Sequence, residues 1–140
     1  MNQSNNDFLH VGVSYARGLS PVSVADNTAQ VSEIIDCKEL KAVEFVILTG
    51  SIADADATFV VLVEESTASD MAGATAVVDA DLYGTETVAG FQFDDDNEIR
   101  FIGYRGDLRY CRLTITPAAN ASAALLSCIV VKLPMTVVGT

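Results

Sequence analysis

Residues 42–64, AVEFVILTGSIADADATFVVLVE, predict two β-strands joined by a short loop. Both ends of this stretch are rich in Val, Ile, Leu and Phe, which favour strands, and Gly50 closes the first apolar run. The middle of the stretch is small and polar, which is typical of a hairpin loop. The pattern therefore predicts that residues 42–49 and 58–64 are paired strands of one sheet.

Apolar runs of the same kind continue towards the C-terminus. Residues 98–104 and 108–116 predict a second strand pair around a short turn, and residues 125–133 predict the last long strand. Residues 66–76 are compatible with one helical turn, and no long helical pattern separates the strands. The chain is therefore predicted to be all-β, an antiparallel β-sandwich or jelly roll of about eight strands with at most one or two short helical turns.

The chain has 140 residues, a length typical of one domain with its own core. Residues 1–20 have weak periodicity and are predicted to form an N-terminal arm or a loose first strand, followed by a jelly-roll domain over residues 21–140. Half of the residues are apolar and the mean hydropathy is +0.33, which is high for a soluble monomer. This composition indicates that apolar surface is buried against partner proteins.

Alternation of apolar and polar residues predicts which face of each strand lies in the core. In residues 98–104 it predicts that Ile99 and Phe101 face the core and that Glu98 and Arg100 face solvent. Residues 42–49 and 58–64 differ because apolar residues occupy both of their faces.

A second apolar face on a sandwich strand requires a cover. Either the segment 66–82 folds over it within the chain, or a partner protein covers it. The apolar residues that we predict at a partner interface on this basis are Val46, Leu48, Val60 and Leu62.

Charge is distributed unevenly along the chain. Residues 42–99 contain 13 acidic residues and no Lys, Arg or His, whereas the rest of the chain has a formal charge of +2, so that the total is −11. This acidic balance argues against non-specific binding to nucleic acid. The asymmetry favours docking through surfaces of opposite charge.

Four of the eight basic residues follow the acidic region closely, and they have two interpretations. They are either internal ion pairs, each contributing about 0.5 kcal/mol when exposed, or a basic face that docks on an acidic partner or on another copy of the chain. We predict an interface role for these four residues, which are Arg100, Arg105, Arg109 and Arg112.

The sequence predicts a protein that is not an enzyme and has no cofactor. His10 is the only histidine, no glycine-rich phosphate loop follows a strand, and the chain has no Trp to stack a sugar beside its paired carboxylates. Asp54 with Asp56, and residues 94–96, resemble fragments of calcium sites but lack the spacing of a complete one. No catalytic or metal-binding residue is therefore predicted, and the acids are assigned to turns and caps.

Three cysteines, Cys37, Cys111 and Cys128, are spaced unlike any zinc or redox motif, and we predict reduced, buried thiols. The N-terminus lacks the pattern of a signal peptide, and no apolar run is long enough to span a membrane. These features predict synthesis in the cytoplasm and no membrane partner.

Residues 40–118 resemble a family of tailed-bacteriophage structural proteins. The resemblance is carried by KAVEFVILTGSIADADATFVVLVEES, DLYGTE and FQFDDDNEIRFIGYRGDLRYCRLTITPA. It implies a jelly-roll capsid cement (decoration) protein that binds the outside of the phage head, joins neighbouring major capsid protein subunits and has no catalytic site. The expected partners are the major capsid protein and further copies of the chain, with a homodimer favoured, and the expected location is the virion surface. The alternative is a non-enzymatic binding module of a phage head fibre or tail, with or without Ca²⁺.

Overall fold

The computed structural model describes residues 9–135, which form a β-sandwich of two antiparallel sheets. The predicted fold class is confirmed, and between residues 12 and 135 the helical elements are a 3₁₀ turn over Asp79–Asp81 and a short helix α1 over Glu86–Ala89. The strands are β1 (Ser14–Val24), β2 (Gln30–Val31), β3 (Ile35–Asp36), β4 (Leu40–Ile52), β5 (Thr58–Ser66), β6 (Thr75–Ala76), β7 (Leu82–Tyr83), β8 (Phe91–Gln92), β9 (Ile99–Tyr104), β10 (Tyr110–Ala118) and β11 (Ala124–Pro134).

The long strands belong to two sheets, each built from a different set of strands. Sheet 1 has the order β1-β11-β4-β9-β7. Sheet 2 is built around β10 and β5, with β2 and β3 pairing with the outer edge of β10, and β6 and β8 pairing with the outer edge of β5. All of these pairs are antiparallel, and the long strands pair with partners that are distant in sequence.

The two predicted hairpins are wrong, because both connections cross between the sheets. β4 lies in sheet 1 and β5 in sheet 2, so residues 53–57 join the two layers. Residues 105–109 make the same crossing from β9 to β10. Packed sheets lie about 10 Å apart and an extended residue spans about 3.3 Å, so a five-residue loop suits a crossing as well as a hairpin.

The core lies between the two sheets and is filled by alternate residues of their strands. Phe45 and Ile47 of β4 are fully buried, as are Leu113 and Ile115 of β10. Phe59 of β5 also points inwards, and its ring stacks on the ring of Phe91, with centroids 4.7 Å apart. These side chains account for the strong apolar pattern on one face of each long strand.

The orientation predicted for β9 is wrong. Ile99 and Phe101 point away from the core and are 58% and 62% exposed, whereas Ile102 and Tyr104 are buried. β9 has large apolar residues on both faces, and the Ile102 face is the one that packs against sheet 2. Arg100 shares that inner face but stands at the end of the strand, where its guanidinium reaches carboxylates.

Residues 66–76 do not form a helical turn, and the segment 66–82, whose one helical element is the 3₁₀ turn over Asp79–Asp81, does not cover a sheet face. Its backbone makes turns, with Met71 at a φ of 64°, and β6 then extends the edge of sheet 2. The helix forms at α1 instead, where the Thr85 hydroxyl accepts a hydrogen bond from the Val88 amide at 3.1 Å. Val60, on the outer face of β5, remains 61% exposed.

The N-terminal region joins sheet 1. Residues 14–20 belong to β1, which continues to Val24 and pairs with β11, so the predicted boundary at residue 20 falls inside a strand. Residues 1–8 of the predicted arm lie outside the described residues. Asn120 fastens the far end of β1, because its side-chain amide donates hydrogen bonds of 3.0 Å to the carbonyls of Val24 and Asp26.

Candidate functional site

The outer face of sheet 1 is apolar and exposed. Phe101, Ile99 and Leu48 are each more than half exposed, although all are large apolar residues. The seven residues that we call the sheet 1 apolar face are Val46, Leu48, Ile99, Phe101, Leu125, Ile129 and Val131. Five of the seven are exposed, and Val46 and Val131 are half-buried. Exposed apolar side chains normally occur singly, so this group on one sheet indicates an interaction surface.

Strand register makes the sheet 1 apolar face continuous. Ile129, Val46 and Phe101 lie directly opposite one another on β11, β4 and β9. Leu48 and Ile99 form the neighbouring pair, and residues directly opposite on adjacent strands are in side-chain contact range. The seven residues lie on three adjacent strands, so the face measures roughly 10–15 Å across the strands.

A depression of about 390 Å³ opens at one end of the sheet 1 apolar face. It is lined by Pro21, Val22, Leu48 and Leu125, at the place where β1 and β11 both shift register. Gly50 forms part of the lining, and a Cβ atom there would lie 3.0 Å from the Leu125 Cβ. The irregular pairing thus creates a concave apolar site that can receive a side chain from a partner.

Glu44 is an acidic residue at the border of this face. It lies between Val131 and Gly103 in the register, and its side chain occupies the space above Gly103 that a Cβ would otherwise fill. Burial raises the pKa of the Glu44 carboxyl above its ordinary value, because the charged form is less well solvated among apolar neighbours. Charged residues are depleted at the centre of protein interfaces, so Glu44 marks the edge of the docking area.

Glu44→Gln is expected to raise the free energy of unfolding at pH 7 and to leave it unchanged at pH 4. A carboxyl with a raised folded-state pKa binds its proton more tightly in the folded protein. The free energy of unfolding therefore falls as the pH rises above 4.5, the pKa in the unfolded chain, and passes through the higher pKa of the folded protein. Gln carries no proton to lose. Urea denaturation at both pH values measures the effect, with Glu39→Gln on an exposed turn as the control. Equal gains at both pH values would contradict this explanation.

The other two predicted apolar residues, Val60 and Leu62, lie on the opposite side of the molecule. They line a groove of about 880 Å³ on sheet 2, beside α1 and β8. Its lining also includes polar groups from Glu86, Gln92 and Thr116. The outer face of sheet 2 is mixed in character, so the four predicted residues belong to two separate surfaces.

Arg100 and Arg112 have partners within the chain. The Arg100 side chain is only 22% exposed and contacts Asp95 at 3.2 Å and Glu98 at 3.1 Å. Arg112 bridges β10 to β5 through a 3.2 Å contact with Glu64 on the outer face of sheet 2. These geometries match the ion-pair interpretation, and a role of either residue in docking stays a prediction.

Arg105 and Arg109 lie together at one end of the sandwich. Arg109 makes two hydrogen bonds of 2.9 Å to Asp36, which lower the pKa of that carboxyl to about 2. The Arg105 guanidinium stacks 4.5 Å from the centre of the Tyr83 ring and donates to the Ala80 carbonyl. Both line one cavity, whereas Arg100 and Arg112 are elsewhere, so the four arginines do not form a single basic face.

Several acidic residues of the region 42–99, which lacks Lys, Arg and His, accept backbone hydrogen bonds in turns. Asp54 accepts hydrogen bonds from the amides of Ala121 and Asp56, and Asp96 accepts one from the amide of Ile52. The Ala121 bond is the main reason that the pKa of Asp54 falls to about 2. Within residues 9–135, no group of three or more His, Cys, Asp or Glu side chains is arranged to hold a metal ion.

Sequence reasoning missed most of the sheet 1 apolar face. It identified Val46 and Leu48, but it placed Ile99 and Phe101 in the core and did not single out Leu125 or the rest of β11. A signal was present, because the run from residue 123 to residue 131 is almost continuously apolar and so supplies both faces of a strand. In the described part of the chain, no helix has the length and apolar character needed to cross a membrane.

No protein-family model and no curated protein matches the sequence. Among similar solved structures, a Bacillus endospore appendage described as a disulfide-linked pilus has 12% identity and a TM-score of 0.45, covering 89% of each chain. The CBM22-1 xylan-binding domain of Paenibacillus barcinonensis Xyn10C also has 12% identity and a TM-score of 0.45, covering 89% of this chain and 87% of that one.

A third similar structure contains the CBM22-1 and GH10 modules of Clostridium thermocellum xylanase 10B. Its identity is 10% and its TM-score 0.46, covering 92% of this chain and 27% of that one. At identities this low the likeness is one of overall shape, and pilus formation and xylan binding are properties of those proteins.

Proposed function

We propose that this chain is a capsid cement (decoration) protein of a tailed bacteriophage. In this proposal, the sheet 1 apolar face docks on the outside of the phage head and helps to join neighbouring major capsid protein subunits. The observation that carries the proposal is the continuous, exposed apolar surface across sheet 1, together with the family resemblance of residues 40–118. The protein acts as a non-enzymatic structural component of the virion surface, after synthesis in the host cytoplasm.

The sheet 1 apolar face has the properties that docking requires. Apolar area removed from water contributes about 25 cal/mol per Å², so several large side chains together give useful affinity. The depression beside Leu125 offers a well-defined site for an anchoring side chain from the capsid. A rigid sandwich loses little conformational entropy on docking, because the backbone of the face is already fixed by pairing with strands on both sides.

Because a cement protein makes several contacts with the capsid at once, each contact can be weak and the whole still binds stably. If the chain docks as a dimer, as we propose, each dimer makes two contacts at once, and the second is favoured by the effective concentration that the first creates. The acidic net charge of −11 opposes association of these dimers with one another in solution before they reach the shell. A cement protein therefore needs no catalytic group and no ligand.

The groove on sheet 2 favours a second candidate, a binding module of a head fibre or tail. Its volume of about 880 Å³ falls within the range of ligand sites, and its lining combines the apolar Val60 and Phe91 with the polar Glu86 and Gln92. In that case the groove is the contact surface and the sheet 1 apolar face is not. Substitutions on the two sheets distinguish the candidates.

The proposal is tested by adding purified protein to phage heads assembled without it. We expect the protein to co-sediment with these heads and to raise the temperature at which they rupture. The control is a sample of the same heads treated with an unrelated acidic protein of similar size. The proposal is wrong if the heads are unaffected and mass spectrometry does not find the chain in mature virions.

A further inference from the structure

Two of the three cysteines meet at one end of the sandwich. The Sγ atoms of Cys37 and Cys111 lie 3.5 Å apart, although 74 residues separate them in sequence. Cys111 is fully buried on β10, directly opposite Ile35 of β3, and Cys37 follows β3 in a turn. The third cysteine, Cys128, is buried on β11 in sheet 1.

We propose that Cys37 and Cys111 form a reversible intramolecular disulfide when the protein meets a small-molecule disulfide such as oxidised glutathione. A disulfide requires the sulfur atoms to approach to about 2.05 Å, a movement of roughly 1.5 Å from their present positions. Cys37 can make this movement because it belongs to a turn rather than to the interior of a sheet, and its backbone amide donates a hydrogen bond to the Arg109 carbonyl.

A cavity gives the reagent access to Cys37. It has a volume of about 280 Å³ and its lining includes Cys37 but not Cys111. Four basic residues contribute to the lining against two acidic ones, and with Arg109 paired to Asp36 a small excess of positive charge remains, which favours an anionic reagent such as oxidised glutathione. The basic residues are Lys38, Lys41, Arg105 and Arg109, and the acidic residues are Glu39 and Asp107.

The two thiols have different parts in the exchange. The hydrogen-bond contact between the two thiols lowers the pKa of Cys37 and raises that of Cys111, and burial raises the pKa of Cys111 further. Cys37 is therefore the attacking thiolate and Cys111 the second, resolving thiol. Burial also raises the pKa of Cys128 to about 12, which keeps that thiol unreactive.

The disulfide forms by thiol–disulfide exchange in two steps. The Cys37 thiolate attacks one sulfur of the small disulfide, forms a mixed disulfide and releases one small thiolate, which takes up a proton. Cys111 then attacks the Cys37 sulfur, and its proton goes to the second small thiol that leaves. Two protein thiols are oxidised and one small disulfide is reduced to two thiols.

The bond fastens a weakly held edge of sheet 2. β3 is only two residues long, and the new link closes a 74-residue loop between the turn after β3 and β10. A cross-link over a loop of this length restricts the unfolded chain and so favours the folded state. The chain would hold free thiols in a reducing cytoplasm and gain the bond in an oxidising medium. This inference does not depend on the proposed function.

The experiment uses the full chain, purified in reductant and then equilibrated with oxidised and reduced glutathione at increasing ratios. We expect the number of free thiols to fall from three to one and the melting temperature to rise by about 5–10 °C, both reversed by dithiothreitol. Trypsin separates the three cysteines, so non-reducing mass spectrometry should find residues 18–38 linked to residues 110–112.

Three variants control the result. Cys37→Ser should lose the bond and the rise in melting temperature, and because Cys37 is only half-buried this variant is expected to fold. Cys111→Ser should behave in the same way, whereas Cys128→Ala should keep both. The proposal is overturned if all three thiols stay free, if glutathione remains on Cys37 without a cross-link, or if the link formed is intermolecular or involves Cys128.

Discussion

Phe101→Asp is expected to leave the protein folded and to weaken docking on phage heads by roughly 30- to 1,000-fold. Phe101 lies at one end of the Ile129–Val46–Phe101 row and is 62% exposed, so water solvates an aspartate there in the free protein. On the head, the same carboxylate would be buried without a partner against apolar surface. Substitutions at energetically important positions of an interface cost about 2–4 kcal/mol, which corresponds to a loss of roughly 30- to 1,000-fold in affinity.

Val60→Asp is the matched control for this prediction. Val60 is 61% exposed, also lies in mid-strand and is also apolar, but it belongs to the groove on sheet 2. Sedimentation of each variant with heads assembled without the protein measures docking, and circular dichroism checks folding. Loss of docking in Phe101→Asp alone supports the proposed function. Loss in Val60→Asp alone would instead favour the binding-module candidate, and normal docking of both variants would exclude both surfaces.

The sequence was sufficient to predict the layers of the fold but not their connections. Runs such as residues 42–49 and 108–116 identify strands because their composition and alternation depend on local contacts with a sheet surface. Which sheet a strand joins depends on distant partners, and β4 pairs with β11 while β5 pairs with β10. A five-residue loop allows either arrangement, so no local feature reveals the crossings.

The candidate site was only partly predictable for the same reason. Apolar residues on both faces of β4 correctly indicated that Val46 and Leu48 lie outside the core. Val46 and Val60 lie on different sheets, however, because the chain crosses between the sheets after β4, and the sequence does not reveal this crossing. The arginines found partners such as Asp36 and Glu64 through pairing of distant strands, and so their ion pairs also required the structure.

The orientation of β9 is the point at which sequence and structure differ most, and Phe45→Ala compared with Phe101→Ala tests it. Phe45 is fully buried on β4, whereas Phe101 projects from the other side of the same sheet, next to Val46. Removing a buried phenylalanine side chain costs about 3–5 kcal/mol, because apolar contacts are lost and a cavity remains. We expect Phe45→Ala to lower the melting temperature by about 10–20 °C.

Phe101→Ala is expected to change the free energy of unfolding by less than about 0.5 kcal/mol, as is usual for exposed positions. The two variants delete the same side chain from neighbouring strands of one sheet, so burial is the main difference between them. Urea denaturation of both proteins, with equal m-values as a check on the unfolded state, gives the comparison. If Phe101→Ala lost as much stability as Phe45→Ala, Phe101 would face the core, the sheet 1 apolar face would lose its most exposed strand, and the docking proposal would fail with it.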